Sequence, residues 1–178
     1  MKRLSKEDWI TFARALIVRE GQITLETLCR DAKRTRGSFY HHFEDVKALR
    51  QALLETWRTE ATDAIITQVD KTAGSRALAL RALAQTVDHR FERALRAASL
   101  KEAEIAQAVE DIDRLREAYI AELIDDEFQI GSNEAGVSAR LIYSVFLSGQ
   151  MRAPDDMRLF TRGAYDWLLK SLASEKNH

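Results

Sequence analysis

The sequence contains little that could cross-link the chain or interrupt a helix. Its 178 residues include one cysteine, one proline and seven glycines. Because Cys29 is the sole cysteine and there are only four histidines, an intramolecular disulfide and a cysteine-based zinc cluster are both excluded. No apolar run approaches the roughly 18 to 20 residues of a membrane span, and the N-terminal residues lead into a charged stretch without a signal-peptide core. These absences predict a soluble cytoplasmic protein with no membrane partner, metal or cofactor.

Signatures of common catalytic sites are also missing. The sequence has no Gly-rich phosphate loop, no His-x-x-x-His and no evident carboxylate cluster or Ser-His-Asp set. A helical enzyme would need several such groups to converge in one pocket. We therefore expect no enzymatic activity.

Charge is divided unevenly along the chain, although the net charge is only -1. Residues 1–58 hold 12 Lys and Arg against 8 Asp and Glu, a net charge of +4, which leaves -5 for the remainder. A basic head on an acidic body is typical of a protein that binds a polyanion through one part of its chain.

Ala, Leu, Glu, Arg and Lys dominate the sequence, and this composition favours helix almost throughout. Apolar residues at helical spacing predict a first helix that passes through Trp9 and ends at Gly21. Thr24 and Thr35 are the expected N-caps of two short helices joined by a tight turn at 33–34. Two short helices with such a turn indicate a helix-turn-helix in an all-α protein.

The remainder of the chain is expected to form a helical bundle. Asp45 is a suitable N-cap for a long fourth helix that ends near Gly74 and links the head to the body. Apolar stripes opposite charged faces predict further helices over 80–95 and 112–124.

The last two predicted helices lie at 137–151 and from Asp155 onward, after Pro154. The first of them is apolar nearly all round and must be covered on several sides. We expect these two helices to form a dimer interface, with packing inside one chain as the alternative. Small residues that could permit close helix approach are Ser144, Ser148, Gly149, Gly163 and Ala164.

The basic turn carries the residues best suited to nucleic acid. Lys33, Arg34 and Arg36 lie at the turn and at the start of the third helix, where their side chains would meet a phosphate backbone or a major groove. Gly37 and Ser38 are small, so the backbone at the start of this helix can approach a nucleic acid closely.

Farther along the third helix, Tyr40 and His41 offer a hydroxyl and an imidazole to phosphates or base edges. Phe39 and Phe43 are four residues apart on one helix face, and we expect them to pack against the head. The third helix therefore has one face for packing and one for DNA.

Three segments, Thr24–Ala32, Gly37–Phe43 and Lys47–Leu49, resemble the TetR family of transcriptional regulators, and the run Gly-Ser-Phe-Tyr-His-His-Phe is the specific part. The resemblance covers roughly residues 7 to 57. It implies a homodimeric, all-helical regulator, usually a repressor, that a small ligand releases from its DNA operator. It also implies a helix-turn-helix DNA-binding domain at 1–46 and an effector-binding and dimerisation domain at 47–178.

The resemblance and the basic turn together predict the residues that contact DNA. These are Thr24, Lys33, Arg34, Thr35, Arg36, Gly37, Ser38, Tyr40, His41 and Lys47.

Three positions depart from the family pattern. Lys33 stands where a glycine is usual, and a non-glycine residue in a left-handed conformation costs roughly 1 kcal/mol. Arg34 replaces a usually apolar residue, so it must extend outward or contact DNA itself. Val46 stands where a lysine often contacts phosphate, with Lys47 one place later. The alternative function is therefore a helical protein-interaction module that retains a degenerate DNA-binding head.

Polar side chains on the apolar stripes of the body are candidates for an effector pocket, because such pockets combine apolar walls with a few polar contacts. The candidates are Trp57, His89, Tyr119 and Tyr143. Surface or core packing roles are the alternative for each of them.

Overall fold

The computed structural model describes residues 3–153 and 155–175, and every regular element in these ranges is a helix. The all-α prediction is confirmed. Within the same ranges, none of the helices combines the length and the apolar character needed to cross a membrane. No cluster of three or more potential metal ligands occurs among these residues either.

The first three helices have the caps predicted from the sequence, but the third ends at Tyr40, two residues before the predicted end near His42. They are α1 (Lys6–Glu20), α2 (Leu25–Ala32) and α3 (Arg36–Tyr40). Gly21 closes α1 in the left-handed conformation, with φ +70°. The hydroxyl of Thr24 accepts a hydrogen bond from the Thr27 amide, and the hydroxyl of Thr35 accepts one from the Ser38 amide. Local capping chemistry therefore sets the end of α1 and the starts of α2 and α3.

A long interrupted helix follows these three. Asp45 caps α4 (Val46–Arg58) by accepting a hydrogen bond from the Ala48 amide at 2.7 Å. A π-helical turn at Thr59–Asp63 separates α4 from α5 (Ala64–Asp70). The helix predicted to continue unbroken to near Gly74 is thus widened in its middle, because a π turn inserts an extra residue into the helical ladder.

The body consists of the remaining helices, which pack around the longest of them. They are α6 (Arg76–Ala84), α7 (His89–Ser99), α8 (Ala103–Phe128), α9 (Ser132–Arg152) and α10 (Met157–Glu175). The start predicted for α10 at Asp155 is two residues early, and Pro154 lies outside the described residues. α8 packs against α6, α7 and α9, and α9 packs against α10.

One apolar core joins the first helices to the body. Trp9 and Phe39 belong to the same buried cluster as Phe91 and Ile105, which lie on α7 and α8. A second cluster fills the space between α8, α9 and α10. α1 packs against α4 and α7 and thereby joins the N-terminal helices to the body.

Candidate nucleic-acid interface and interior cavity

The turn between α2 and α3 is closed by a left-handed residue that is not glycine. Lys33 has φ +50° and ψ +48°. Its amide donates to the Arg30 carbonyl at 3.1 Å, and the Arg34 amide donates to the Cys29 carbonyl at 3.0 Å. These two bonds satisfy carbonyls at the end of α2. The lysine therefore adopts the conformation for which glycine is preferred, and the turn is tight despite the substitution.

Aromatic packing fixes which side of α3 faces the protein. Phe39 is fully buried and meets Trp9 edge to face, with 5.5 Å between the ring centroids. Phe43 is 4% exposed and stacks on Phe39 at 5.8 Å. The prediction that these two phenylalanines pack against the head is confirmed. Arg36, Tyr40 and His41 are consequently turned outward.

The structure brings most of the predicted DNA-contacting residues to the surface of the turn and of α3. Tyr40 is 55% exposed, an unusual position for so large an aromatic side chain. Lys47 is exposed on the first turn of α4. The other exposed members are Lys33, Thr35, Arg36, Gly37 and His41, and the half-buried ones are Thr24, Arg34 and Ser38.

Some of the polar groups on this surface already have partners. The hydroxyls of Thr24 and Thr35 cap their helices, so their role in the free protein is structural. Arg36 forms an ion pair with Glu26 at 2.6 Å, and both side chains are about two-thirds exposed. The Arg34 guanidinium donates to the Lys33 carbonyl at 3.0 Å. An exposed ion pair of this kind contributes about 0 to 1 kcal/mol, so Arg36 can exchange its partner readily.

A buried ion pair lies in the body, and sequence reasoning did not identify it. Glu92 on α7 is 1% exposed, and Arg116 on α8 is 9% exposed. Two hydrogen bonds of 2.7 and 3.1 Å join the Arg116 guanidinium to the two Glu92 carboxylate oxygens. Burial alone raises the pKa of Glu92, but the charge and hydrogen bonds of Arg116 outweigh it, so the net pKa is lowered. Both groups are therefore charged in the folded protein.

Arg116 also holds the π-helical turn. Its Nη2 donates to the Ala61 carbonyl at 2.9 Å, and its Nε donates to the Thr62 hydroxyl at 3.0 Å. A π turn leaves carbonyls without their usual helical partners, and a guanidinium can supply the missing donors. The helix that leads from the head is thereby fixed to α7 and α8 by one buried side chain.

Two of the residues predicted to line an effector pocket lie in or beside this polar network. The Trp57 indole N–H donates to Glu92 at 3.0 Å, and the His89 ring packs against Phe146 and the Gln150 amide. Gln150 in turn donates to Glu92. The sequence pattern identifies Trp57 and His89 as polar groups on apolar helix faces. They are there because a buried carboxylate must be surrounded by donors and covered from water.

The other two candidates, Tyr119 and Tyr143, line a partly open cavity of about 90 Å³ in the body, which is called the interior cavity below. Aliphatic and aromatic side chains from α5, α6, α8, α9 and α10 form most of its wall, and Arg116 lies at its edge towards the π-helical turn. The Tyr119 hydroxyl donates to Asp70 at 2.7 Å, and the Tyr143 hydroxyl donates to Asp113 at 2.6 Å. The cavity is thus apolar with a small number of hydroxyl and guanidinium groups.

The faces of α9 and α10 that point away from the body carry exposed apolar side chains. Of the ten large hydrophobic residues exposed in the described ranges, six lie on these two helices. They are Val137, Leu141, Met151, Leu159, Phe160 and Trp167. α9 was expected to be covered on several sides, and within one chain its outer side is uncovered.

The small residues of these helices serve different purposes. Gly149 lies where α10 approaches α9 within the chain, because an added Cβ would come within 3 Å of both Met157 and Thr161. Gly163 has open space around it. The alternative of packing inside one chain therefore holds for Gly149, whereas Gly163 lies on the uncovered side.

Comparison with known proteins identifies no relative of this chain. No family model, no curated protein and no solved structure matches it.

Proposed function

We propose that this protein is a sequence-specific DNA-binding transcriptional regulator that acts as a homodimer in the cytoplasm, with α2 and α3 as a helix-turn-helix. The observation that carries the proposal is the division of residues 36–43, which comprise α3 and the turn after it, into a buried and an exposed side. Phe39 and Phe43 are buried, while Arg36, Tyr40 and His41 are exposed beside Lys33. A short helix that presents a basic, hydrogen-bonding face after a tight turn has the form of a recognition helix.

The residues on this face would have different roles in DNA binding. Lys33, Arg34 and Lys47 supply positive charge for phosphates, which gives affinity independent of sequence. Arg36 and Tyr40 can reach base edges, because a guanidinium pairs with guanine and a phenol can donate or accept a hydrogen bond. Glu26 would release Arg36 when DNA binds, and this exchange has a low cost because the ion pair is exposed.

A second copy of the chain is the partner that best fits the exposed apolar side chains of α9 and α10. Val137, Leu141 and Met151 follow one another at spacings that place them on one side of α9. Leu159 and Trp167 are each about two-thirds exposed on the neighbouring helix. A two-fold dimer pairs the same surface from each subunit, so two such helices from each chain would cover one another. The dimer would place two copies of α3 in successive major grooves, about 34 to 36 Å apart.

The regulatory part of the proposal is a small effector that binds in the body and shifts α4, so that a repressor leaves its operator. A ligand can act in this way only if its affinity differs between two arrangements of the protein. The interior cavity lies against the π-helical turn that follows α4, and Arg116 contacts both. A ligand in the cavity can therefore change the position of α4, the helix that joins the head to the body.

The DNA-binding proposal is tested by fluorescence anisotropy with DNA fragments that flank the protein's own coding region. We expect Arg36→Ala and Tyr40→Ala each to weaken binding to the preferred fragment by about 5- to 150-fold, because one good base contact contributes roughly 1 to 3 kcal/mol. Arg114→Ala is the matched control, since Arg114 is an exposed arginine of α8 in an ion pair. The control should bind normally.

Two further measurements complete this test. The logarithm of the binding constant should fall linearly with the logarithm of the salt concentration, with a slope of about -0.9 for each phosphate contacted. Sedimentation should show a dimer that Trp167→Glu dissociates, since the charge would have to be buried between subunits. Normal affinity of both Arg36→Ala and Tyr40→Ala, at physiological salt and with intact folding, would reject the DNA-binding assignment.

A further inference from the structure

The chemistry of the cavity wall restricts what the cavity can hold. We propose that it binds a small, uncharged and largely apolar molecule, no larger than a single aromatic ring with one polar substituent, and that the Tyr165 hydroxyl pairs with that substituent. This inference extends the proposed function, because it names the class of the effector. The evidence for it comes from the cavity alone.

Charged ligands are disfavoured because the charged groups of the wall already have partners. Arg116 donates to Glu92, Ala61 and Thr62, and it also lies 3.5 Å from the Tyr143 hydroxyl, so its donors are engaged. Arg81 is paired with Asp166 at 2.6 Å. A ligand carboxylate would have to displace Glu92 from Arg116 and leave that acid buried without its cation, which is unfavourable in an apolar interior, or compete with Asp166 for Arg81.

Two of the three tyrosines in the wall are engaged in the same way. The Tyr119 hydroxyl donates to Asp70 and the Tyr143 hydroxyl donates to Asp113. Tyr165 on α10 differs, since it is only 7% exposed and its hydroxyl has no hydrogen-bond partner among the residues that the structure describes. Burial raises the pKa of Tyr165, so the phenol stays neutral. A tyrosine hydroxyl without a partner supplies one point of polar recognition in an apolar wall.

The volume of the cavity favours a small ligand. A cavity of about 150 Å³ with an apolar wall stays free of water and takes up benzene or xenon. The present cavity has a volume of about 90 Å³. A single ring therefore needs only an outward adjustment of the wall, whereas an acyl chain or a fused ring system clearly exceeds this volume.

Methyl NMR of the full-length protein with benzene, phenol and benzoate as probes tests the proposal. We expect benzene and phenol to shift the methyl signals of Ile120 and Ile142, which line the cavity, in a saturable manner with one site per chain. The methyl signal of Ile105, which is buried in the other core, should not move. Benzoate should cause no saturable shift at the same concentrations.

Three variants locate the contact. Tyr165→Phe should weaken phenol binding roughly three- to tenfold, the effect of one neutral hydrogen bond, and should leave benzene binding unchanged, which also shows that the cavity is intact. Tyr119→Phe is the matched control, because its hydroxyl is already paired with Asp70, and neither affinity should change. Ala84→Leu places a larger side chain at the wall and should abolish binding of both probes in a protein whose circular dichroism is unaltered.

Three results would overturn the proposal. The first is that neither benzene nor phenol causes a saturable shift. The second is that benzoate binds as tightly as phenol. The third is that Tyr165→Phe and the unaltered protein bind phenol with equal affinity. No DNA is present in these measurements. A failure here therefore leaves the proposed regulator function standing, and a failure of the DNA-binding test leaves this binding site standing.

Discussion

The head and the body of this protein each contain an ion pair, and these two pairs lie in opposite environments. In the head, Arg36 and its partner Glu26 are about two-thirds exposed, and Tyr40 is 55% exposed. In the body, Arg116 and Glu92 form an ion pair that is almost fully buried and has additional donors around it. The head groups can change partners at little cost in free energy, whereas the body groups cannot. This contrast separates residues suited to recognition from residues that hold an arrangement of helices.

The largest effect is expected from breaking the buried pair. Arg116→Met leaves the Glu92 carboxylate buried without its cation and the π-helical turn without its donors. We expect the free energy of unfolding to fall by about 3 to 5 kcal/mol, as measured by denaturant unfolding. Adding Glu92→Met should recover part of this loss, because two apolar side chains of similar size can replace a buried pair.

The exposed Arg114 provides the comparison for this prediction. It pairs with Glu110 and Asp111 along one face of α8, and its side chain is 61% exposed. Arg114→Met should change stability by about 0.5 kcal/mol or less. An equal loss in both variants would show that the burial of Arg116 does not determine the loss of stability.

The same contrast explains which features the sequence could predict. Helix caps such as Thr24, Thr35 and Asp45 act on amides three residues away, so their effect is visible in a short window of sequence. The packed face of α3 was predictable for the same reason, because Phe39 and Phe43 are four residues apart.

The buried network of the body depends on residues that are distant in the sequence. Arg116 is 24 residues from Glu92 and 54 residues from Thr62, and nothing in the local sequence marks them as partners. The same applies to the cavity, where Tyr119 and Tyr143 were found by periodicity but Tyr165 was not. An apolar stripe shows that a side chain faces inward, but the neighbouring helix decides whether it meets a void or a carboxylate.

The second largest effect concerns pH. Burial lowers the pKa of His89 below its ordinary value of 6.5, and Arg116 acts in the same direction, while Glu92 and Asp88 oppose them. Below pH 6.5 the unfolded chain then binds a proton at this position that the folded chain does not. The free energy of unfolding should therefore fall as the pH decreases from 6.5, by up to about 1.4 kcal/mol per pH unit.

Denaturant unfolding between pH 5.5 and 7.5 would measure this slope, within a range that lies above the ordinary titration of carboxylates. His89→Gln should flatten the slope. His41→Gln, in which the altered histidine is exposed on the head, should keep it. A slope that persists in His89→Gln would assign the pH dependence to another group.

Left-handed backbone offers a comparison in which head and body should behave alike. Lys33 in the head and Gln129 in the body are the non-glycine residues with positive φ in the described ranges, at +50° and +56°. Lys33→Gly and Gln129→Gly should each stabilise the protein by about 1 kcal/mol, because glycine avoids the clash of Cβ in this conformation. Lys33→Ala and Gln129→Ala keep the strain and serve as controls. A gain at only one of the two positions would show that the side chain there makes a stabilising contact of its own.

The smallest change in stability, and a change in function, is expected at Glu26. Glu26→Gln removes the charge that pairs with Arg36, and because both side chains are exposed the free energy of unfolding should change by less than about 1 kcal/mol. If Arg36 contacts DNA, the same substitution should tighten binding severalfold at low salt, since the arginine no longer has to leave an acidic partner. In the double variant with Arg36→Ala this gain should vanish. A gain that survives without Arg36 would mean that Glu26 acts on DNA through general repulsion, and the ion pair would then have no part in recognition.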